Sequence, residues 1–163
     1  MNPIRISITL PEFHCLAIAG ISRRYGALVE GLRREKGRFD IVDFDVAGMI
    51  AEFAVAKHLG LFWSPNPGAL DTNTGDLSGR IQVKSIDNIV LRLIIRDVDP
   101  DDFRYVLAYT QLFYPPFYVD LIGWLWGYER KCGERKHIDM PGITQNCWMI
   151  GKEKLEPMSS LVP

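Results

Sequence analysis

The chain has 163 residues, of which 47% are hydrophobic and 24% are charged, and its formal net charge at pH 7 is −1. These values are typical of one globular domain spanning residues 1–163, with a single well-filled core. A net charge so close to zero excludes a strong global attraction to nucleic acid or membrane, so any DNA contact requires local basic clusters.

Cysteine usage and sorting features bear on the compartment. Cys15, Cys132 and Cys147 are odd in number and widely spaced, which favours a reducing compartment over a disulfide framework. Zinc binding by Cys132 and His137 is an open alternative, although no Cys-x-x-Cys pair accompanies them. The N-terminus lacks secretory-signal features, and no apolar run approaches the ~20 residues of a membrane helix. We expect a cytoplasmic protein without a membrane partner.

The N-terminal segment, residues 4–36, is predicted to form a strand followed by a helix. Apolar and polar side chains alternate over residues 4–10, and Pro11 is well suited to the first turn of a helix. Over residues 12–34, apolar positions at roughly helical spacing predict the buried face. They are Leu16, Ala19, Ile21, Leu28 and Leu32.

The polar side of this predicted helix is rich in arginine. The simpler interpretation is a solvated face, and the alternative is a ridge that contacts DNA phosphates. The side chains concerned are Arg23, Arg24, Arg33 and Arg34.

A second helix is predicted over residues 46–59, ending at Gly60. Glu52 borders the apolar stripe of this helix, next to Met49 and Phe53. Because a buried carboxylate without a partner is costly, Glu52 requires one. It belongs either to a salt bridge, with Lys84 or an arginine, or to a functional site with residues further along the chain.

The most informative stretch is residues 71–85. Residues 80–85 alternate between apolar and polar side chains, which predicts a strand with Gln82 and Lys84 on the same face. Glycines on either side of Asp76 favour a tight connection that brings this carboxylate to that face. A carboxylate, an amide oxygen and an ammonium at one sheet edge are suited to a metal-dependent site that cleaves phosphodiesters.

This pattern resembles the PD-(D/E)xK nuclease superfamily, in which an Asp precedes a strand carrying Glu-x-Lys or, in some branches, Gln-x-Lys. Asp76 matches the Asp, and Gln82-Val83-Lys84 matches the strand element. Glu52 matches a Glu that many members carry on a preceding helix. Gly75 stands where the family pattern has Pro.

The resemblance extends over residues 48–126 and implies an α/β, restriction-endonuclease-like fold, whose central mixed sheet is flanked by helices. The motif core would span about residues 46–128. The predicted sheet strands are 79–85, 89–96, 103–110 and 118–128. We interpret the aromatic residues of the last strand as core, with base stacking as the alternative. The remainder is predicted as a loop at 133–146, a short strand at 147–150 and a polar tail at 151–163.

The resemblance also implies a magnesium-dependent DNA nuclease, with Mn²⁺ as a substitute metal. The metal ligands would be Asp76, the Gln82 side-chain oxygen, the Val83 carbonyl and Glu52. Lys84 would orient or deprotonate water and stabilise negative charge. DNA would be bound by basic side chains, namely Arg23, Arg24, Arg33, Arg34, Arg130, Lys131, Arg135 and Lys136.

Several functions fit this description. The candidates are junction-resolving enzymes of the Holliday-junction-resolvase kind, repair nucleases and phage-type nucleases. A homodimer is an open expectation. The alternative is a nuclease-fold module that binds DNA or assembles with partners without chemistry, because Gln82 stands in place of a carboxylate. A metabolic α/β enzyme has no comparable support, since the chain has neither a Gly-rich phosphate loop nor a nucleophile elbow.

Overall fold

The computed structural model describes residues 2–29, 40–65, 75–78, 80–86, 91–112, 115–140 and 143–163. Over these ranges the chain forms two α-helices, α1 (Leu10–Val29) and α2 (Asp40–Leu59), and seven strands. The strands are β1 (Ile4–Ile8), β2 (Ile81–Ile86), β3 (Arg92–Arg96), β4 (Arg104–Gln111), β5 (Phe117–Trp126), β6 (Glu134–Met140) and β7 (Ile143–Gly151). Short 3₁₀ helices span Gly127–Cys132, Lys152–Lys154 and Met158–Ser160.

The strands form two sheets. The larger has the order β1-β5-β4-β2, with β2 parallel to β4 and the other neighbours antiparallel. A mixed sheet with packed helices confirms the α/β class. The smaller sheet, β3-β7-β6, is antiparallel throughout. The restriction-endonuclease-like identity of the fold stays a prediction.

The larger sheet is covered on both faces. Val106 and Ala108 of β4 pack in the core beneath α1 and α2, whereas Tyr105 and Leu107 pack toward the smaller sheet. This alternation explains why β4 reads as an almost continuous apolar run, as expected of a strand buried on both faces. The prediction that helices flank the sheet holds for one face, and the second sheet occupies the other.

Two strand predictions were wrong. The segment predicted as a central strand at 89–96 contains β3, which pairs with β7 in the smaller sheet. The segment 133–146, predicted as a loop, contains most of the β6–β7 hairpin. Residues 134–137 of β6 are exposed, so this part of the strand is held by backbone pairing with β7, and its polar side chains gave no strand signal in the sequence.

The start of α1 is set by a reciprocal cap. The Thr9 N–H donates to Glu12 Oε2 at 2.7 Å, and the Glu12 N–H donates to Thr9 Oγ1 at 3.4 Å. The helix therefore begins at Leu10, with Pro11 in its first turn. Neither described helix is long and apolar enough to cross a membrane.

The buried face of α1 differs from the predicted one. Leu16 is buried as expected, but Ile21 is 52% exposed. The helix meets α2 at Gly20, where an added Cβ would lie 2.7 Å from the Val46 Cα. This close approach turns Arg23, nearly one turn later, toward α2. A contact made through glycine carries no apolar signal, which is why the pattern misassigned the faces.

Candidate active site at the edge of the larger sheet

The site is built around β2, the last strand in the order of the larger sheet within the described ranges. Ile81 and Val83 are buried toward the helices, and Gln82 and Lys84 are half-buried. Gln82 and Lys84 therefore project from the opposite face. This is the alternation that the sequence predicted for the strand.

A tight connection brings Asp76 alongside β2. The carbonyl oxygen of Ile81 accepts hydrogen bonds from the N–H groups of Asp76 and Leu77, at 2.9 and 3.1 Å. Gly75 has a φ of +75°, and a Cβ there would lie 2.9 Å from the same oxygen. Arg80 also has a positive φ, of 60°. The chain can double back so sharply because the turn uses left-handed conformations.

Asp76 is the centre of the site. Its Oδ2 accepts hydrogen bonds from the Val83 N–H at 2.7 Å and from Gln82 Nε2 at 2.6 Å. Burial raises the pKa of Asp76, while these hydrogen bonds and the charges of Lys84 and Arg23 oppose the rise. The amide of Gln82 thus acts as a donor to the carboxylate, and Val83 contributes its N–H.

Glu52 lies on α2 and is only 5% exposed. Arg23 donates to both of its oxygens, from Nη1 to Oε1 at 2.7 Å and from Nη2 to Oε2 at 3.0 Å. Burial raises the pKa of Glu52 to about 7; the Asp76 charge adds to this rise and Arg23 opposes it. The salt-bridge interpretation of Glu52 is thereby observed, with Arg23 as the partner and not Lys84.

A second polar group faces Glu52. Trp63 Nε1 is buried and has no hydrogen bond of ordinary geometry within the described residues, but it lies close enough to help lower the pKa of Glu52. Its N–H therefore adds to the polar surroundings of this carboxylate.

Arg23 links the two carboxylates electrostatically. Burial alone would lower the pKa of its guanidinium, but the hydrogen bonds to Glu52 and the charges of Glu52 and Asp76 raise it. We predicted Arg23 as a DNA contact on a polar helix face. The structure instead turns its guanidinium inward, where it partly neutralises the acidic pair formed by Glu52 and Asp76.

Lys84 lies on the other face of β2, with 24% of its side chain exposed. Its Nζ is 3.5 Å from Asp99 Oδ2 and 5.6 Å from the centre of the Tyr105 ring. Burial lowers the pKa of Lys84, Asp99 and Asp76 oppose that shift, and Arg96 reinforces it. The ammonium therefore lies within the electrostatic influence of both Asp76 and Asp99.

Asp99 was missed by the sequence reasoning. It is buried, and it accepts hydrogen bonds from the Arg96 N–H at 2.9 Å and from Arg96 Nε at 2.8 Å. These bonds fix the turn that presents Asp99 to Lys84. The available signal was the density of aspartates in residues 97–102.

Arg130 is a correction to the predicted DNA-binding set. It is only 7% exposed, and it donates to the carbonyl oxygens of Arg96, Asp99 and Gly127 at 2.5, 2.9 and 3.0 Å. Its side chain is thus enclosed beneath the Asp99 turn. A guanidinium committed to buried carbonyls is not available to phosphates, so Arg130 has a structural role.

Three of the other predicted DNA contacts are exposed: Lys131, Arg135 and Lys136. Arg135 donates to Asp97 Oδ2 at 2.7 Å, which joins β6 to the Asp99 turn. Lys136 Nζ pairs with Glu134 at 2.5 Å. Arg24 is half-buried and has interactions of its own. Arg33 and Arg34 lie outside the described residues.

The arrangement joins two half-sites through Asp76. Glu52 and Arg23 lie on the helix side, and Lys84 and Asp99 on the other. Among the described residues, no three His, Cys, Asp or Glu side chains cluster as a metal centre, and this holds for the region of Cys132 and His137 as well.

Comparison with protein-family models, with curated proteins and with solved structures finds no match to this chain.

Proposed function

We propose that this chain is a magnesium-dependent DNA nuclease whose active site is centred on Asp76. One observation carries the proposal: Asp76 receives hydrogen bonds from Gln82 and Val83 and the charge influence of Glu52 and Lys84. These are the residues of the Gln-x-Lys pattern and its helix Glu. Separated along the chain, they all act on one carboxylate.

The donor set fits a hard divalent cation. Two carboxylates, an amide and a main-chain carbonyl are oxygen ligands of the kind that Mg²⁺ prefers. Burial raises the pKa of both Glu52 and Asp76, and the Asp76 charge adds to the rise at Glu52, so a cation bound between them would stabilise their ionised forms. A bound cation would be held by Asp76, Glu52, Gln82 and the Val83 carbonyl. When bound, it would polarise the scissile phosphate and neutralise developing charge.

Gln82 has a particular part in this fit. In the structure its Nε2 donates to Asp76, and rotation of the amide exchanges nitrogen and oxygen. The same side chain can therefore hold Asp76 when no cation is present and offer an oxygen when one is.

Lys84 supplies the acid–base chemistry. Its lowered pKa increases the neutral fraction that can accept a proton from an attacking water, and its charged form stabilises the negative phosphate oxygens. Asp99 holds the ammonium on the side of β2 that faces away from the helices. In this role Lys84 touches the reacting atoms and Asp99 positions it.

DNA would approach from the side of the β6–β7 hairpin. Arg135 is exposed and donates a hydrogen bond to Asp97, which belongs to the same turn as Asp99. Lys131 and Lys136 are exposed as well. Local basic side chains of this kind suit a protein whose net charge is near zero, because phosphate binding depends on the charges at the contact.

The test is cleavage of supercoiled, linear and branched DNA with magnesium, manganese or chelator. We expect metal-dependent cleavage by the wild type, none by Asp76→Ala, and cleavage at lower magnesium by Gln82→Glu, which adds a full charge to the ligand set. Glu153→Ala and Lys152→Ala, at exposed positions of the Lys152–Lys154 helix, are controls that retain activity. Cleavage that survives Asp76→Ala would show that the site is elsewhere.

A second candidate is a nuclease-fold module that binds DNA without cutting it. It is favoured by one observation, since Arg23 already occupies both Glu52 oxygens and Gln82 already bonds Asp76. The acidic groups are thus satisfied without a cation. Under this candidate the wild type binds DNA, cuts none of the three DNA forms, and shows no rise in melting temperature when magnesium is added.

A further inference from the structure

The outer face of α1 is unusually apolar for a surface helix. Ile18, Tyr25 and Val29 are 66%, 70% and 69% exposed, and Leu10 and Ile21 are also more than half exposed. Single exposed apolar residues are ordinary, but a contiguous row of them marks a contact surface.

These residues form one narrow stripe. At about 100° per residue, Leu10, His14, Ile18, Ile21, Tyr25 and Val29 fall within an arc of about 100°. Their spacing of three and four residues is that of a helix–helix seam. We call this set the α1 stripe. Arg23 lies on the opposite side of the helix, where it faces Glu52.

The charge of the helix is also distributed to one side. Among the α1 side chains that the structure describes, every exposed one lacks a formal charge. Glu12 pairs with Lys57, and Arg23 pairs with Glu52, both away from the α1 stripe. A solvated helix face normally carries charged side chains. A face depleted of charged side chains has the composition of an interface core.

The positions within the stripe are symmetric about the middle of the helix. Leu10 and Val29, His14 and Tyr25, and Ile18 and Ile21 each have residue numbers that sum to the same value. We propose that the α1 stripe is a homodimer interface, in which two α1 helices pack antiparallel about a twofold axis. Each large side chain then meets its counterpart, as an isologous interface requires, and Ile18 contacts Ile21 of the other copy.

The size of the stripe sets the expected strength. A helix of 20 residues is about 30 Å long and 10–12 Å wide, a footprint of roughly 300–360 Å². A standard interface buries about 800 Å² of accessible surface per partner. We therefore expect a weak dimer, with a dissociation constant on the order of 10 μM. Because the stripe carries no formal charge, two copies that approach through it do not repel each other electrostatically there.

The test is sedimentation velocity over a concentration series. The full-length wild type is expected to dimerise, and Ile18→Glu and Ile21→Lys are each expected to raise the dissociation constant about tenfold or more. Mixing these two variants should restore a dimer, because antiparallel packing brings Glu at 18 against Lys at 21 and leaves the other Ile18–Ile21 contact intact. Parallel packing offers no such pairing.

Val162→Glu is the matched control, since Val162 is as exposed as Val29 but lies outside the α1 stripe. It should dimerise like the wild type. Circular dichroism checks that each variant is folded. A wild type that stays monomeric, single variants that dimerise unchanged, or a mixture that remains monomeric would each overturn the proposal. This inference does not depend on the nuclease activity.

Discussion

Two acid–base pairs flank Asp76, and they differ in how tightly they are held. On the helix side, Arg23 grips both oxygens of Glu52 at 2.7 and 3.0 Å. On the other side, Lys84 approaches Asp99 at 3.5 Å, while Asp99 is bonded mainly to Arg96. The first pair is a bidentate salt bridge, and the second is a single longer contact. Of the two cations, Lys84 is therefore the one that can more readily engage another group.

This contrast suggests a division of work. A bidentate arginine pair is geometrically specific and, once buried, costly to break. A point-charge ammonium with a lowered pKa can exchange partners and protons. We therefore expect the Arg23–Glu52 pair to contribute mainly to stability, and the proposed chemistry to depend mainly on Lys84. Substitutions of Arg23 and Lys84 separate these two roles.

The largest effect is expected on catalysis. In the proposed mechanism Lys84 stabilises the transition state, so Lys84→Ala should reduce DNA cleavage about 10³-fold. The same change should cost only about 1 kcal/mol in urea unfolding, since Asp99 keeps its hydrogen bonds to Arg96 when Lys84 is removed. Normal cleavage by Lys84→Ala would contradict the assignment, and Lys152→Ala is the matched control.

The locked pair should dominate stability. Arg23→Ala leaves Glu52 buried without its partner, and we expect a loss of about 3 kcal/mol in the free energy of unfolding at pH 8. At pH 5 the loss should be smaller, because Glu52 then takes up a proton in the folded state. Urea titrations at the two pH values measure this difference, and equal losses at both would mean that Glu52 is not the cause.

Glu52 also makes a signed pH prediction. Its pKa rises from an ordinary 4.5 to about 7 in the folded protein. Between these values the folded state binds more protons than the unfolded state, so stability falls as pH rises from about 4.5 to 7. Asp76, whose pKa is also raised, contributes in the same direction. Glu52→Gln should flatten this fall, and an unchanged slope would remove Glu52 as its source.

The smallest effect concerns Asp99. Its charge raises the pKa of Lys84 against the effect of burial, so Asp99→Asn should lower that pKa further. Because neutral Lys84 is the proposed proton acceptor, cleavage should rise with pH through the pKa of Lys84, and this rising limb of the pH–rate profile should move to lower pH. A purely structural role for Asp99 would lower the rate without moving the limb. Asn keeps an oxygen that can accept the Arg96 N–H, so the turn should persist. Asp102→Asn, at an exposed position, serves as the control.

The sequence by itself determined the local parts of the site. Alternation over residues 80–85 predicted β2 and the shared face of Gln82 and Lys84, and glycine next to Asp76 predicted the tight connection. Gly60, with a φ of +65°, likewise marked the end of α2. These features depend on neighbouring residues and backbone conformation, which a single chain segment encodes.

Only the tertiary structure decided the partners. Arg23 reaches Glu52 across 29 positions because a glycine contact rotates α1. Two of the carbonyls that bind Arg130 belong to residues 34 and 31 positions away. The polar β6 strand exists because β7 pairs with it. Long, flexible charged side chains have the same local signature whether they end in solvent or in an ion pair. Their roles follow from which elements pack together, and that depends on distant residues.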